Sequence, residues 1–157
     1  MIQKEKFISE EYPKGDTIQV VMLVLFLATW VLDSFLFKFA VYGSIVPWYL
    51  RAAVGLLVIL YGAYLVDASH KLVIDMDEPV LVDWGVYSKV RHPMYLGIML
   101  VYLGFAVSTL SIISMLLLAG IFLVYDMFAE YEESNIIEIL GQRYLDYRTQ
   151  VKRWLPL

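Results

Sequence analysis

What most limits how this chain can fold is a series of apolar runs, each too long for the core of a small soluble domain, separated by short polar joints. The first run covers residues 17–37; at about 1.5 Å per residue it spans roughly 32 Å as a helix, the thickness of a bilayer's hydrocarbon core. It also exceeds the roughly 7–15 apolar residues of a signal peptide. A second run opens at Pro47, a residue suited to a first helical position, and continues through WYLRAAVGLLVILYGAYLV to about Val66. Pro93 opens a third, PMYLGIMLVYLGFAVSTL, and SIISMLLLAGIFLVYDMF follows almost without connection, which predicts a tight antiparallel hairpin. Composition agrees: 61% of residues are hydrophobic and 18% charged, against roughly 45–50% apolar in soluble domains. The expectation is an all-α integral membrane protein, a single domain over 1–157 with spans near 17–37, 47–66, 93–109 and 111–128.

Four spans put the N-terminal segment, the 67–92 connection and the C-terminal tail on one side. Of the 12 Lys and Arg residues, Lys4, Lys6, Lys14, Lys71, Lys89, Arg91, Arg143, Arg148, Lys152 and Arg153 fall there. Lys38 falls on the other side and Arg51 inside the second span. The positive-inside rule then makes both termini cytoplasmic. A net charge of −4 offers no basic face for a nucleic-acid partner. With no Cys, disulfides, iron–sulfur clusters, thiolate zinc and Cys nucleophiles are excluded. His70 and His92 are the only histidines and show no HExxH or HxH spacing, so no metal site is expected. No strand pattern is present to host a Gly-rich phosphate loop.

Past Met127 the run AEYEESNIIEILGQRYLDYRTQVKRWLPL is polar but repeats apolar residues at helical gaps. It predicts an amphipathic helix leaving the bilayer on the cytoplasmic side, broken at Gly141 and then resumed. The 67–92 connection has no helical period and reads as an ordered loop. Within the spans, Asp33 and Arg51 lie at similar depth, so an ion pair joining the first two spans is the expected use of two costly membrane charges. Trp30, Trp48, Tyr49, Trp84, Tyr87 and Trp154 fall near the interfaces that aromatic residues favour.

Polar chemistry then concentrates at GVYSKVRHPMYLG, residues 85–97, and at Glu132 and Glu133 beside the end of the last span. Antiparallel packing of the last two spans brings Tyr95 and Glu132 to similar depth. Pro93 pre-sets a helix start whose first amides, with Arg91 and His92, favour a carboxylate or phosphate. Adjacent helical residues point about 100° apart, so one glutamate faces a ligand while the other holds the helix or an arginine. Anion donors on one side and a carboxylate on the other suit a zwitterionic ligand bearing hydroxyls.

These residues carry a resemblance. PVLVDWGVYSKVRHPMYLG followed by EESNIIEILGQRYLDYRTQVKRWLP resembles the isoprenylcysteine carboxyl methyltransferase and phospholipid methyltransferase superfamily of integral membrane enzymes, over about residues 79–156. The resemblance implies S-adenosylmethionine as cofactor, S-adenosylhomocysteine as product and a lipid or lipidated acceptor. It places cofactor contacts within 79–97 and 129–156: Pro79, Val80, Leu81 and Val82 against the adenosine, then Tyr87, His92, Pro93, Met94, Tyr95 and Glu132, to which the donors read at the helix mouth add Arg91. His92 and Glu133 are the candidate catalytic groups, for alignment and proton handling rather than covalent catalysis. In the prenylcysteine enzymes an Arg contacts the substrate one helical turn before the cofactor-binding Glu; here that position is Phe128. The departure points toward another lipophilic nucleophile, such as a phospholipid amine, with Arg143 and Arg148 as the candidate substitutes. The Arg-His-Pro-x-Tyr-x-Gly segment is also similar to membrane steroid-5-alpha-reductase-like enzymes that bind NADPH. Those have Asn before the Tyr and Glu after the Gly, where this chain has Met94 and Ile98. A non-enzymatic membrane scaffold is the remaining alternative.

Overall fold

The computed structural model describes residues 12–39, 41, 46–74 and 81–155. Its first helix, α1, covers Gly15–Val31 and continues as a π-helical turn over Leu32–Phe37. α2 covers Trp48–Ile74, a 3-10 turn covers Gly85–Ser88, and α3 covers Pro93–Thr109. α4 runs over Ile112–Leu140 and α5 over Gln142–Gln150. Among the described residues, Gly15–Phe37, Trp48–Val73 and Ile112–Leu140 are long and apolar enough to cross a bilayer. The 17 residues of α3 reach about 25 Å, the short limit of a span. The molecule is an all-α integral membrane protein whose exposed side chains on α1 and α2 include Val20, Leu25, Leu57 and Leu60, apolar surface matched to lipid.

α2 is longer than its hydropathy suggests, running to Ile74 rather than ending near 66. Its last turns carry Asp67, Ser69, His70 and Lys71, which mark the exit from lipid but do not stop a helix. Lys71 pairs with Asp67 at 2.6 Å, one turn back, and the Ser69 hydroxyl donates to the Leu65 carbonyl at 2.6 Å. Hydropathy reports the solvent around a helix, whereas its end requires a breaker.

Glycines lock α2 to α3. Gly62 faces Gly97 and Gly55 faces Gly104, an antiparallel register repeated after two turns on both helices. A Cβ on Gly62 would lie 2.5 Å from the Gly97 carbonyl oxygen, and one on Gly55 would lie 2.6 Å from that of Gly104. Only hydrogen fits there, so the two backbones touch, the close approach by which apolar helices associate without a hydrophobic drive between them. On the other side α3 packs against α1 and α4 through Met22, Phe26, Met99, Tyr102, Ala106, Ile121, Tyr125 and Phe128.

The expected hairpin between α3 and α4 is present. Leu110 closes α3 in the left-handed region at φ +53°, and the Ser111 amide reaches back to the Ala106 carbonyl at 3.2 Å. Ser111 caps α4 by accepting from the Ser114 amide at 3.2 Å. The two membrane charges attach to this corner separately. Asp33 accepts from the Ser111 hydroxyl at 2.6 Å at the start of α4, while Arg51 donates to the Thr109 carbonyl at 3.1 Å at the end of α3. The direct pair expected from their common depth gives way to a carboxylate at a helix N-terminus and a guanidinium at a helix C-terminus, each favoured by the local dipole.

At the opposite end Gly141 breaks the long helix as expected, with φ +54° and ψ −128°. α5 then folds back, and Tyr144, Tyr147 and Val151 bury Leu81.

Candidate active site

Pro93 is fully buried at the first position of α3, with His92 as the preceding residue, and no side chain caps the helix. The first-turn amides, including those of Met94 and Tyr95, therefore present the positive end of the α3 dipole. α4 crosses this mouth with Glu132 and Glu133, and the two carboxylates have different surroundings.

Glu133 is 2% exposed. Arg91 grips it with both ends of its guanidinium, Nε to Oε1 at 3.0 Å and Nη2 to Oε2 at 3.2 Å. Arg153 does the same at 3.1 and 3.3 Å. His92 Nε2 lies 3.1 Å from Oε1, and Arg148 Nε lies 3.7 Å from Oε2. A buried carboxylate is tolerated only when so compensated. With both oxygens engaged by cations, Glu133 is poorly suited to take a proton from a substrate.

Glu132 keeps 22% of its side chain exposed. The Tyr95 phenol donates to its Oε1, and His92 Nδ1 lies 3.7 Å from its Oε2. The imidazole of His92 thus stands between the two glutamates. It is parallel to the Tyr95 ring within 4° at 5.8 Å, with the Trp154 indole also 5.8 Å away.

Arg91, read from sequence as a ligand donor, is occupied otherwise. Besides Glu133 it donates to the Val151 carbonyl at 2.6 Å, and its backbone amide donates to the Lys152 carbonyl at 2.9 Å. It ties the returning tail to the start of α3. Tyr87 sits in the 3-10 turn, where its carbonyl accepts from the Tyr147 hydroxyl at 2.6 Å. Burial pushes the Tyr87 phenol up to about 12, the Ser69 hydroxyl opposing and the Glu132 carboxylate adding to the rise. Tyr87 is therefore neutral at physiological pH.

The structure brings His92, Pro93, Met94, Tyr95, Glu132 and Glu133 to one mouth, whereas Leu81 belongs to the neighbouring cluster under α5. Leu81 also lines a cavity of about 390 Å³ with Asp83, Ser88, Arg143 and Asp146, a lining that does not include His92, Tyr95 or Glu132. Val82 is partly buried, and Pro79 and Val80 lie outside the described residues. Arg143 is at that cavity, while Arg148 approaches Glu133. Phe128 is 1% exposed and stacks on Tyr12 at 4.6 Å, also touching Tyr125 and Tyr95.

Reading the sequence missed Arg153 and Trp154 as parts of this mouth, and Asp126 altogether. Asp126 Oδ1 accepts from Arg153 Nη1 at 2.9 Å and Trp154 Nε1 at 2.8 Å. The signal available was its seven-residue spacing from Glu133, which sets both carboxylates on one stripe of α4.

Two relatives match part of the chain. Protein-S-isoprenylcysteine O-methyltransferase of Saccharomyces cerevisiae is 34% identical over 80 residues, 49% of this chain and 33% of the relative. Methanethiol S-methyltransferase of Crocosphaera subtropica is 34% identical over 71 residues, 45% of this chain and 27% of the relative. The chain thus spans about a third or less of the length of the relatives it matches. No solved structure matches it. The family described as phospholipid methyltransferase matches residues 38–143, from the end of α1 through α2, α3 and α4 with the His92 and Glu132 mouth. By that match, which takes in most of the helical bundle and both halves of the site, this chain belongs to the phospholipid methyltransferase family.

Proposed function

We propose that the protein is a membrane methyltransferase that uses S-adenosylmethionine to methylate a lipophilic acceptor, leaving S-adenosylhomocysteine. The observation that carries this reading is the contrast between two adjacent carboxylates. Glu133 is committed to Arg91, Arg153 and His92, while Glu132 stands partly exposed at the mouth of α3. The donor set fits an amino-acid zwitterion. The uncapped amides of α3 supply donors for a carboxylate. Glu132 supplies an acceptor for an ammonium or a ribose hydroxyl. Tyr95 directs its proton to Glu132 and so orients that carboxylate. Leu81 is buried under α5, which leaves the partly buried Val82 for apolar contact to an adenosine.

When bound, the cofactor supplies an electrophilic methyl, and the demand on the protein is alignment in a water-poor site. Glu133 acts as the holder of the site, keeping its cations and His92 in place. His92 is the group for proton removal where the acceptor is an amine or a thiol.

On the acceptor side, Phe128 and its aromatic neighbours present no charge to a substrate. A cavity of about 290 Å³ lined by Gln19, Leu23, Val66, Ile98, Tyr102 and Tyr125 lies between the helices. Tyr125, on its lining, has its ring 5.1 Å from that of Tyr95 at the mouth. The names of the family and relatives span phospholipid, isoprenylcysteine and methanethiol. An apolar acceptor body is the property these residues support. The distribution of Lys and Arg supports a cytoplasmic location for the mouth and both termini.

Purified protein should be stabilised against heat by S-adenosylhomocysteine and not by NADPH. Incubation with labelled S-adenosylmethionine and a total membrane lipid extract, in parallel with a prenylcysteine analogue, should place label in the lipid fraction. The reading fails if neither compound raises the melting point and Glu132→Gln changes nothing.

A further inference from the structure

The tail 151–154 closes over the mouth, and its polar attachments divide into two groups. Arg91 holds its first half through the Val151 and Lys152 carbonyls. The second half is held from α4, where one oxygen of Asp126 accepts from two consecutive residues, Arg153 Nη1 at 2.9 Å and Trp154 Nε1 at 2.8 Å. A carboxylate receiving a guanidinium and an indole N–H together makes charge-assisted bonds on both.

Asp126 lies on the stripe of Glu133 and reaches His92 by two routes. Through Trp154 it sets an indole 5.8 Å from the imidazole, which is packed parallel to Tyr95. Through Arg153 it sets the guanidinium whose Nε lies 3.1 Å from Glu133 Oε1, the oxygen that also meets His92 Nε2 at 3.1 Å. Asp126 and Arg153 are 38% and 19% exposed, so solvent screens their pair and it contributes little to global stability. What it does contribute is placement of the tail's second half, and with it the ring beside His92.

We propose that Asp126 is a positioning residue of the methyl-donor site: it places Trp154 and Arg153 so that His92 keeps its orientation between Glu132 and Glu133. This rests on the donor reading above. Asp126 touches no ligand in this account, so its removal weakens cofactor binding without unfolding the bundle.

The test is a double-mutant cycle on the purified full chain in detergent, with S-adenosylhomocysteine affinity measured by calorimetry beside the ligand-free melting point. Asp126→Leu should weaken binding about tenfold and move the melting point by less than about 3 °C. Asp126→Asn, which keeps an acceptor for the indole, should recover part of the loss. Asp126→Leu combined with Trp154→Ala should lose less affinity than the sum of the two single losses, because the Trp154 route is then already gone and only the Arg153 route remains. Exchange of the Arg91 amide, which bonds the first half of the tail, should stay slow in Asp126→Leu, because only the second half is released. Normal binding by Asp126→Leu, full additivity with Trp154→Ala, or a fall in affinity matched by a fall in melting point each overturns the proposal. If the Leu variant does not fold, Asp126→Asn takes its place with the same criteria. A wild type that binds no S-adenosylhomocysteine overturns the donor reading and this proposal together, whereas binding by wild type and Asp126→Leu alike overturns this proposal alone.

Discussion

Helix α3 has a polar cluster at each end, and the two use different chemistry. At its C-terminal end Thr109 accepts from Trp30 at 3.1 Å and from Ser34 at 2.8 Å. Arg51 meets a carbonyl there and Asp33 a hydroxyl. Hydroxyls, a carbonyl and helix ends give these charges hydrogen-bond partners. At the N-terminal end one buried carboxylate, Glu133, is surrounded by Arg91, Arg153, His92 and Arg148, with a second carboxylate beside it. A corner that only has to hold helices together can be satisfied locally. A mouth with uncapped α3 amides and a partly exposed Glu132 suits a charged visitor, which is why we separate a structural end from a ligand end.

The separation can be broken most sharply at Glu133. Glu133→Ala leaves two guanidiniums and an imidazole without their shared partner and should cost about 3–5 kcal/mol. Thermal unfolding in detergent measures it, and an unchanged melting point would show that the cluster is not the anchor we describe. Next comes Glu132→Ala, which should leave the ligand-free melting point nearly unchanged. Removing a charge-assisted hydrogen bond worth about 1.5–3 kcal/mol should weaken S-adenosylhomocysteine binding about 10- to 100-fold. Normal binding would remove Glu132 from the site.

Smaller effects are expected at the other end. Arg51→Met should lower stability by about 1 kcal/mol while each folded molecule keeps full methyl transfer. Activity lost in a well-folded variant would mean that the far corner takes part in function. A pH dependence at the ligand end completes the comparison. The Tyr87 phenol is raised from 10.0 to about 12, so the folded state retains a proton that the unfolded state loses between those values. Stability present below pH 10 should therefore decline as pH rises toward 12. In Tyr87→Phe the alkaline decline should be shallower by that residue's share, and an identical decline would place the titration elsewhere.

Much of this was legible in the one-dimensional pattern. Long apolar runs imply helices in lipid because a bilayer demands internally bonded backbone. Pro93 and Gly141 marked a helix start and a helix break by backbone chemistry that is local to each residue. The seven-residue spacing of Gly55 to Gly62 and of Gly97 to Gly104 is also written in the chain, although only the packed helices reveal that the two sets face each other. The end of α2 was misjudged because Asp67 to Lys71 report water, and water does not end a helix that carries its own i,i+4 pair.

By itself, the sequence determined that this is a helical membrane protein with its chemistry gathered around Arg91 to Tyr95 and Glu132 to Glu133. It also established that the two glutamates, about 100° apart on one helix, had to divide their roles. Which of them holds the arginines was decided by the tertiary structure, because Arg153 arrives from a tail that first turns at Gly141 and returns along α5. The same reason separates Asp33 from Arg51: equal depth is a property of sequence, but each charge goes to the helix end that the hairpin presents to it. Hydropathy and period are local quantities, and choosing a partner for a buried charge depends on contacts distant along the chain.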